Sequence, residues 1–144
     1  MFFDDFSIGR TFSVKPVVVR EEAMRAFAAE YDPLPFHLDA DYAASSPFGK
    51  LIAPGVMSFM VVWAEFVKMN VWGENLIAGR SAKIEWFAPV YAEDVLEGGV
   101  TVLDAERTKM ESGLVTLGID IYNQHAMKVI FNTTELVIRA KRDF

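Results

Sequence analysis

The stretch Gly55-Val56-Met57-Ser58-Phe59-Met60-Val61-Val62-Trp63-Ala64-Glu65-Phe66-Val67 decides the fold. Its apolar side chains fall on nearly every face of a helix running from Gly55 to about Asn70, which is the pattern of a helix enclosed by the rest of a protein. The uncharged run around it, Leu51 to Ala64, spans 14 residues and contains Pro54-Gly55. That is short of the ~20 apolar residues a membrane-spanning helix requires. A buried helix needs a cover, and the chain after Asn75 supplies it. Ala82, Ile84 and Trp86 alternate before Pro89, and a second β-prone run extends from Val95 to Leu103, interrupted at Gly98-Gly99. Val115, Leu117, Ile119 and Ile121 give the cleanest period of two; a turn at Asn123 to Ala126 leads into a final strand through Ile130, Leu136 and Ile138. Four long strands and one apolar helix predict an α+β architecture, a curved antiparallel sheet wrapped around a central helix.

N-terminal to that helix the chain is built of short pieces. Thr11 to Val14 and Val17 to Arg20 are β-prone around Pro16, and Met24, Phe27, Ala28 and Tyr31 follow at helical spacing. This helix ends at Asp32-Pro33, and Pro35 reinforces the stop, since each proline disfavours α conformation in the residue before it. Asp32 to His37 is therefore expected as an extended turn. Asp39 or Asp41 suits the cap of a short Ala-rich helical turn through Ser45, and Ser46-Pro47-Phe48-Gly49 makes the loop into Leu51.

Composition narrows the chemistry. The 144 residues are 52% hydrophobic, with no cysteine and two histidines, His37 and His125. One globular domain over residues 1–144 is expected. There is no thiol nucleophile and no thiolate metal site, and two histidines are few for a metal centre, so no metal is expected. A net charge of −6 disfavours nucleic acid as a partner, because phosphate binding at that scale needs a concentrated positive field. Acidic residues in MFFDDFSIGR replace the basic region of an export signal, and a cytoplasmic location is the expectation.

Two features have chemical capacity. Asp32 and His37 lie five positions apart on a turn held by prolines, which brings a carboxylate and an imidazole toward one point where they can share acid–base work. The same residues also suit a helix cap and a polar loop closure. Pro54-Gly55 opens the apolar helix, where unpaired N–H groups and the positive dipole end suit an oxygen gaining negative charge. Ordinary helix punctuation has the same appearance. His125 falls in a hairpin turn and carries no role. Lys50, Arg80, Lys83, Arg107 and Lys109 are candidates for meeting phosphates, and none is assigned.

Tyr31-Asp32-Pro33-Leu34-Pro35-Phe36-His37-Leu38-Asp39, then Ser46-Pro47-Phe48-Gly49, then Ile52-Ala53-Pro54-Gly55 resembles the signature of the MaoC-like dehydratases, a family that includes the R-specific enoyl-CoA hydratases. The dense match covers about 25 residues, and length and element order resemble a single-hotdog member throughout. The resemblance implies that Asp32 and His37 activate a water that adds to a trans-2-enoyl thioester, giving a (R)-3-hydroxyacyl-CoA, while the Gly55 N–H holds the thioester oxygen. It implies an acyl-CoA substrate, no cofactor, and a homodimer or higher homo-oligomer formed by pairing sheets edge to edge. Two positions depart from the family pattern. Leu34 stands where members usually have Asn or Gln, and Trp63 where hydratases tend to place a small polar residue, which suggests a pocket reshaped near the acyl path. Thioester hydrolysis and non-catalytic acyl-thioester binding are the alternatives.

Overall fold

The computed structural model describes residues 1–142. A 3-10 turn at Phe3–Asp5 precedes strands β1 (Thr11–Ser13) and β2 (Val17–Val18) and helix α1 (Glu21–Tyr31). Two short helices, α2 (Pro35–Leu38) and α3 (Ala40–Ala44), lead to the long helix α4 (Gly55–Lys68). Four long strands complete the chain: β3 (Leu76–Trp86), β4 (Val95–Lys109), β5 (Ser112–Tyr122) and β6 (Lys128–Arg139). They form one antiparallel sheet in the order β1-β4-β5-β6-β3, with β2 also pairing with β4. The α+β reading of the sequence holds.

Helix α4 lies against the inner face of the sheet. Val56, Val61, Val62 and Val67 are weak helix formers, each costing about 0.5 kcal/mol relative to better ones. Packing outweighs that: Met57, Phe59, Val62 and Phe66 are buried in the core beside Val100, Leu117, Ile119 and Ile130, and full burial of one such side chain contributes roughly 1.5–3 kcal/mol. Asn132 and Thr134 interrupt the apolar alternation of β6 on the buried face. Thr134 Oγ1 donates to Asn132 Oδ1 at 2.7 Å and Asn132 Nδ2 donates to the Lys83 carbonyl at 3.0 Å, so neither is left unpaired.

Three expectations are corrected. Asp32 to His37 is not extended throughout: Pro35 occupies the first position of α2, where a proline lacks nothing a helix would use, and only the residues before it stay out of the α region. Strand β4 runs unbroken through Gly98-Gly99. A Cβ at Gly98 would lie 2.6 Å from Val62 Cγ1, so the glycine is the point where α4 presses onto the sheet backbone, not an interruption. Nor is α4 enclosed on all sides. Val56, Met60 and Val67 are 48%, 44% and 39% exposed, leaving one apolar face of the helix uncovered by the described residues. Beside it β3 offers a free edge with both faces largely exposed.

Lys141, just after β6, is tied to the N-terminal turn. Lys141 Nζ donates to Asp5 Oδ1 at 2.6 Å, and the Lys141 N–H donates to Asp4 Oδ2 at 2.7 Å. The Lys141 hydrogen bond, then the Phe2 N–H, hold the Asp5 carboxyl below its ordinary value, and Asp5 in turn raises the Lys141 ammonium. Asp5 therefore stabilises the fold fully above the ordinary carboxylate value and stops doing so as pH falls through the lowered one; Lys141 does so fully below its ordinary value and stops as pH rises through the raised one.

Two outcomes are expected. Gly98→Ala lowers the unfolding free energy by about 1–3 kcal/mol in urea titrations, and combining it with Val62→Ala costs less than the sum of the two changes, since the colliding methyl is gone. Asp5→Asn lowers the melting temperature at neutral pH, and the difference from wild type shrinks in strong acid, as thermal scans across pH would record.

Candidate active site

A cavity of about 500 Å³ opens at the N-terminal end of α4. Each element around it is placed for a local reason. Helix α1 stops at Asp32, whose N–H closes the last turn on the Ala28 carbonyl at 2.9 Å. Pro33 and Leu34 then turn the chain, and α2 delivers His37 inward, buried to 3% exposure. Asp39 ends α2 and caps α3, its carboxylate accepting from the N–H groups of Asp41 and Tyr42. The segment Leu51 to Pro54 threads between α2 and the chain after β3: Ile52 N–H donates to the Phe36 carbonyl at 3.3 Å, and Ala53 N–H donates to the Val90 carbonyl at 2.7 Å.

That threading fixes the histidine. His37 Nδ1 lies 2.8 Å from the Ile52 carbonyl, and a carbonyl only accepts, so Nδ1 carries a proton. The other ring nitrogen, Nε2, stands 3.2 Å from Asp32 Oδ2 and is the one free to exchange a proton. The two partners differ in exposure: the imidazole side chain is 4% accessible and the Asp32 carboxylate 38%. Both residues line the cavity, and the carboxylate is the more open of the two.

Gly55, the first residue of α4, also lines the cavity. Its N–H has no acceptor within the helix. A Cβ at this position would meet Trp86 Cε2 and Nε1 at 2.7 Å, so glycine is what lets the indole close over the helix start. Ser58 is buried one turn on, and its hydroxyl donates to the Gly55 carbonyl at 2.7 Å, steadying that first turn. The remaining wall is aromatic. Phe36 and Phe48 meet edge to face at 5.6 Å, and Trp86 and Phe87 stand opposite, 49% and 56% exposed.

The structure thus brings together Asp32, His37 and Gly55. His125 sits exposed in the β5–β6 turn, away from the cavity. Leu34 is 43% exposed and is not part of the cavity wall. Trp63 does not reach this cavity either. It stacks among Phe59, Phe66 and Trp72 and faces a second cavity of about 350 Å³ between α4 and β3. Sequence reasoning missed Ser58 and the wall from Trp86 to Val90. The latter had one signal, Pro89 ending an alternating run, but nothing local says that this bend folds over a helix start. Among the described residues, no group of three or more His, Asp or Glu converges as metal ligands, and no helix is long and apolar enough to cross a membrane.

A family model described as a MaoC like domain matches residues 5–123. The chain belongs to the MaoC-like dehydratase family. A curated relative from Bacillus subtilis (strain 168), the uncharacterized protein YdeM, is 30% identical over 140 residues, 96% of this chain and 99% of that one. The MaoC-like dehydratase of Rhodospirillum rubrum superposes with a TM-score of 0.89 at 29% identity, over 99% of both chains. An R-hydratase of Pseudomonas aeruginosa shares the fold with a TM-score of 0.77 at 24% identity, over 97% of this chain and 86% of that one. The architecture of this MaoC-like protein is the hotdog that the resemblance implied.

If the glycine makes room for Trp86, then Gly55→Ala is expected to keep the fold and displace the indole. The near-ultraviolet circular dichroism should change, and the change should be absent when Gly55→Ala is made in a Trp86→Phe background.

Proposed function

We propose that the protein is a hydratase or dehydratase acting on acyl thioesters, adding water to a 2-enoyl-CoA to give a (R)-3-hydroxyacyl-CoA or removing it in reverse. The observation that carries this is the Asp32–His37 pair at 3.2 Å in the wall of a mostly apolar cavity that also contains the start of α4. Membership of the MaoC-like family supports it.

The chemistry asks for little more. A water held between Asp32 and His37 gives up one proton to the pair as its oxygen bonds to the β-carbon. The electrons of the double bond move toward the thioester carbonyl, whose oxygen gains negative charge and is held by the Gly55 N–H. The pair then returns one proton to the α-carbon, so that the net change is the addition of one water. The fixed Nδ1–H to Ile52 leaves only Nε2 and the carboxylate to handle these protons.

The uncovered face of α4 and the free edge of β3 fit a second copy of the chain. A long exposed edge strand is a template for pairing, and Met60 and Ile77 lie exposed on the two elements. Pairing there covers Trp86 and Phe87, the open wall of the cavity.

Purified protein is expected to hydrate crotonyl-CoA, read as loss of the conjugated enoyl absorbance. Asp32→Asn and His37→Gln should each lower kcat by about 10²–10⁴-fold while circular dichroism stays native. Release of free thiol with the double bond intact would instead assign thioester hydrolysis. Light scattering is expected to give twice the chain mass, and Met60→Lys with Ile77→Lys should yield the monomer.

A further inference from the structure

We propose that Lys50 binds a phosphate of the carrier that bears the acyl thioester, forming an anion subsite at the rim of the cavity. The assignment rests on the hydratase reading above. It begins with position: Lys50 lies between Phe48 and Ile52, both of which line the cavity, and is itself exposed. The loop that presents it is fixed. Ser46 Oγ donates to the Ala43 carbonyl at 2.6 Å and accepts the Phe48 N–H at 3.2 Å, and the Tyr91 hydroxyl donates to the Phe48 carbonyl at 3.1 Å. Gly49 takes the positive φ of +77° that the turn into Lys50 requires.

The ammonium is then directed by an aromatic face. Lys50 Nζ stands 4.4 Å from the centroid of the Tyr91 ring, and Tyr91 is bridged to Ile52, the residue whose carbonyl holds His37. A cation over an aromatic ring keeps its charge and its outward N–H donors. Charge makes the position distinctive. Lys128, on the Phe87 side, is committed to Asp120 at 2.6 Å, Arg25 near α2 to Glu21 at 3.7 Å, and Arg20 to Glu93 at 3.1 Å. Lys50 makes no ion pair among the described residues. On a chain of net charge −6 an anionic carrier meets general repulsion, so an uncommitted cation beside the opening is the group able to offset it.

Three thioesters of one acyl group separate the possibilities: crotonyl-CoA, crotonyl-phosphopantetheine, and crotonyl-pantetheine, which has no phosphate. For Lys50→Ala, the ratio of kcat/KM on crotonyl-CoA to that on crotonyl-pantetheine is expected to fall about three- to fivefold against wild type, the size of a partly solvated ion pair. Lys50→Glu should lower it further, and Lys109→Ala, at the far β4–β5 hairpin, should leave it at the wild-type value. A matching fall with crotonyl-phosphopantetheine places the contact at the phosphate of the pantetheine arm; a fall confined to crotonyl-CoA places it at the nucleotide phosphates. A ratio unmoved by Lys50→Glu overturns the subsite while leaving the hydratase reading standing. A wild-type protein that turns over none of the three overturns both.

Discussion

The seating of α4 on the sheet is the constraint on which the rest depends. Where Val62 meets the backbone at Gly98 the helix and the sheet are as close as their atoms allow. That contact fixes the height of α4 above the strands, and with it the place where Gly55 and its free N–H emerge. The first turn of the helix then meets the end of β3, where Trp86 closes over the missing Cβ of Gly55. Two glycines, one at mid-helix height and one at the helix start, set the two ends of a single rigid placement, and the cavity is the space left beside it.

The Asp32–His37 pair is attached to that frame by backbone, through the strip of chain that runs into α4. Ile52 belongs to the strip; its N–H donates to the Phe36 carbonyl, it bridges to Tyr91, and its carbonyl accepts the hydrogen bond of His37 Nδ1–H. The position of His37 is thus tied to the entry of α4, three residues before Gly55. Carboxylate, imidazole and helix N-terminus keep their spacing because they share one short segment as a ruler, although they come from three different elements.

The central helix was legible as an uncharged apolar run opened by Pro54-Gly55, and the strands because burial of one face imposes a period of two, which is written locally. The spacing of prolines and glycine marked Asp32, His37 and Gly55 only as helix caps or reactive groups alike, and it was the resemblance of the whole motif that singled them out. The α2 turn was missed because Pro35 reads equally as a stop for α1 and as the first residue of a new helix, and only the packing of His37 decides between them. Gly98 was misread as a break for a similar reason, since the contact that demands it comes from Val62, 36 positions away. The last strand was read through Ile130 to Ile138, but the burial of Asn132 and Thr134 within it was not, since polar residues that satisfy one another leave no mark in a hydrophobic pattern. The aromatic wall at Trp86 and Phe87 was invisible as a site because strand alternation assigns residues to faces and says nothing of what passes over them.

The two departures from the family pattern take on different weights once the geometry is known. An amide at position 34 would serve to orient the pair, yet the ring of His37 is already held at both nitrogens, by the Ile52 carbonyl at 2.8 Å and by Asp32 at 3.2 Å. Leu34, 43% exposed and outside the cavity wall, leaves that hold on the ring unchanged. Trp63 is not spare in the same sense. It packs with Phe59, Phe66 and Trp72 along the helix and borders the second cavity, which also takes in Phe59 and Met60. Phe59 follows Ser58, and Ser58 lines the first cavity, so the two spaces lie one after the other along α4. Trp63 therefore shapes the farther space and makes no contribution to the wall that holds Asp32 and His37.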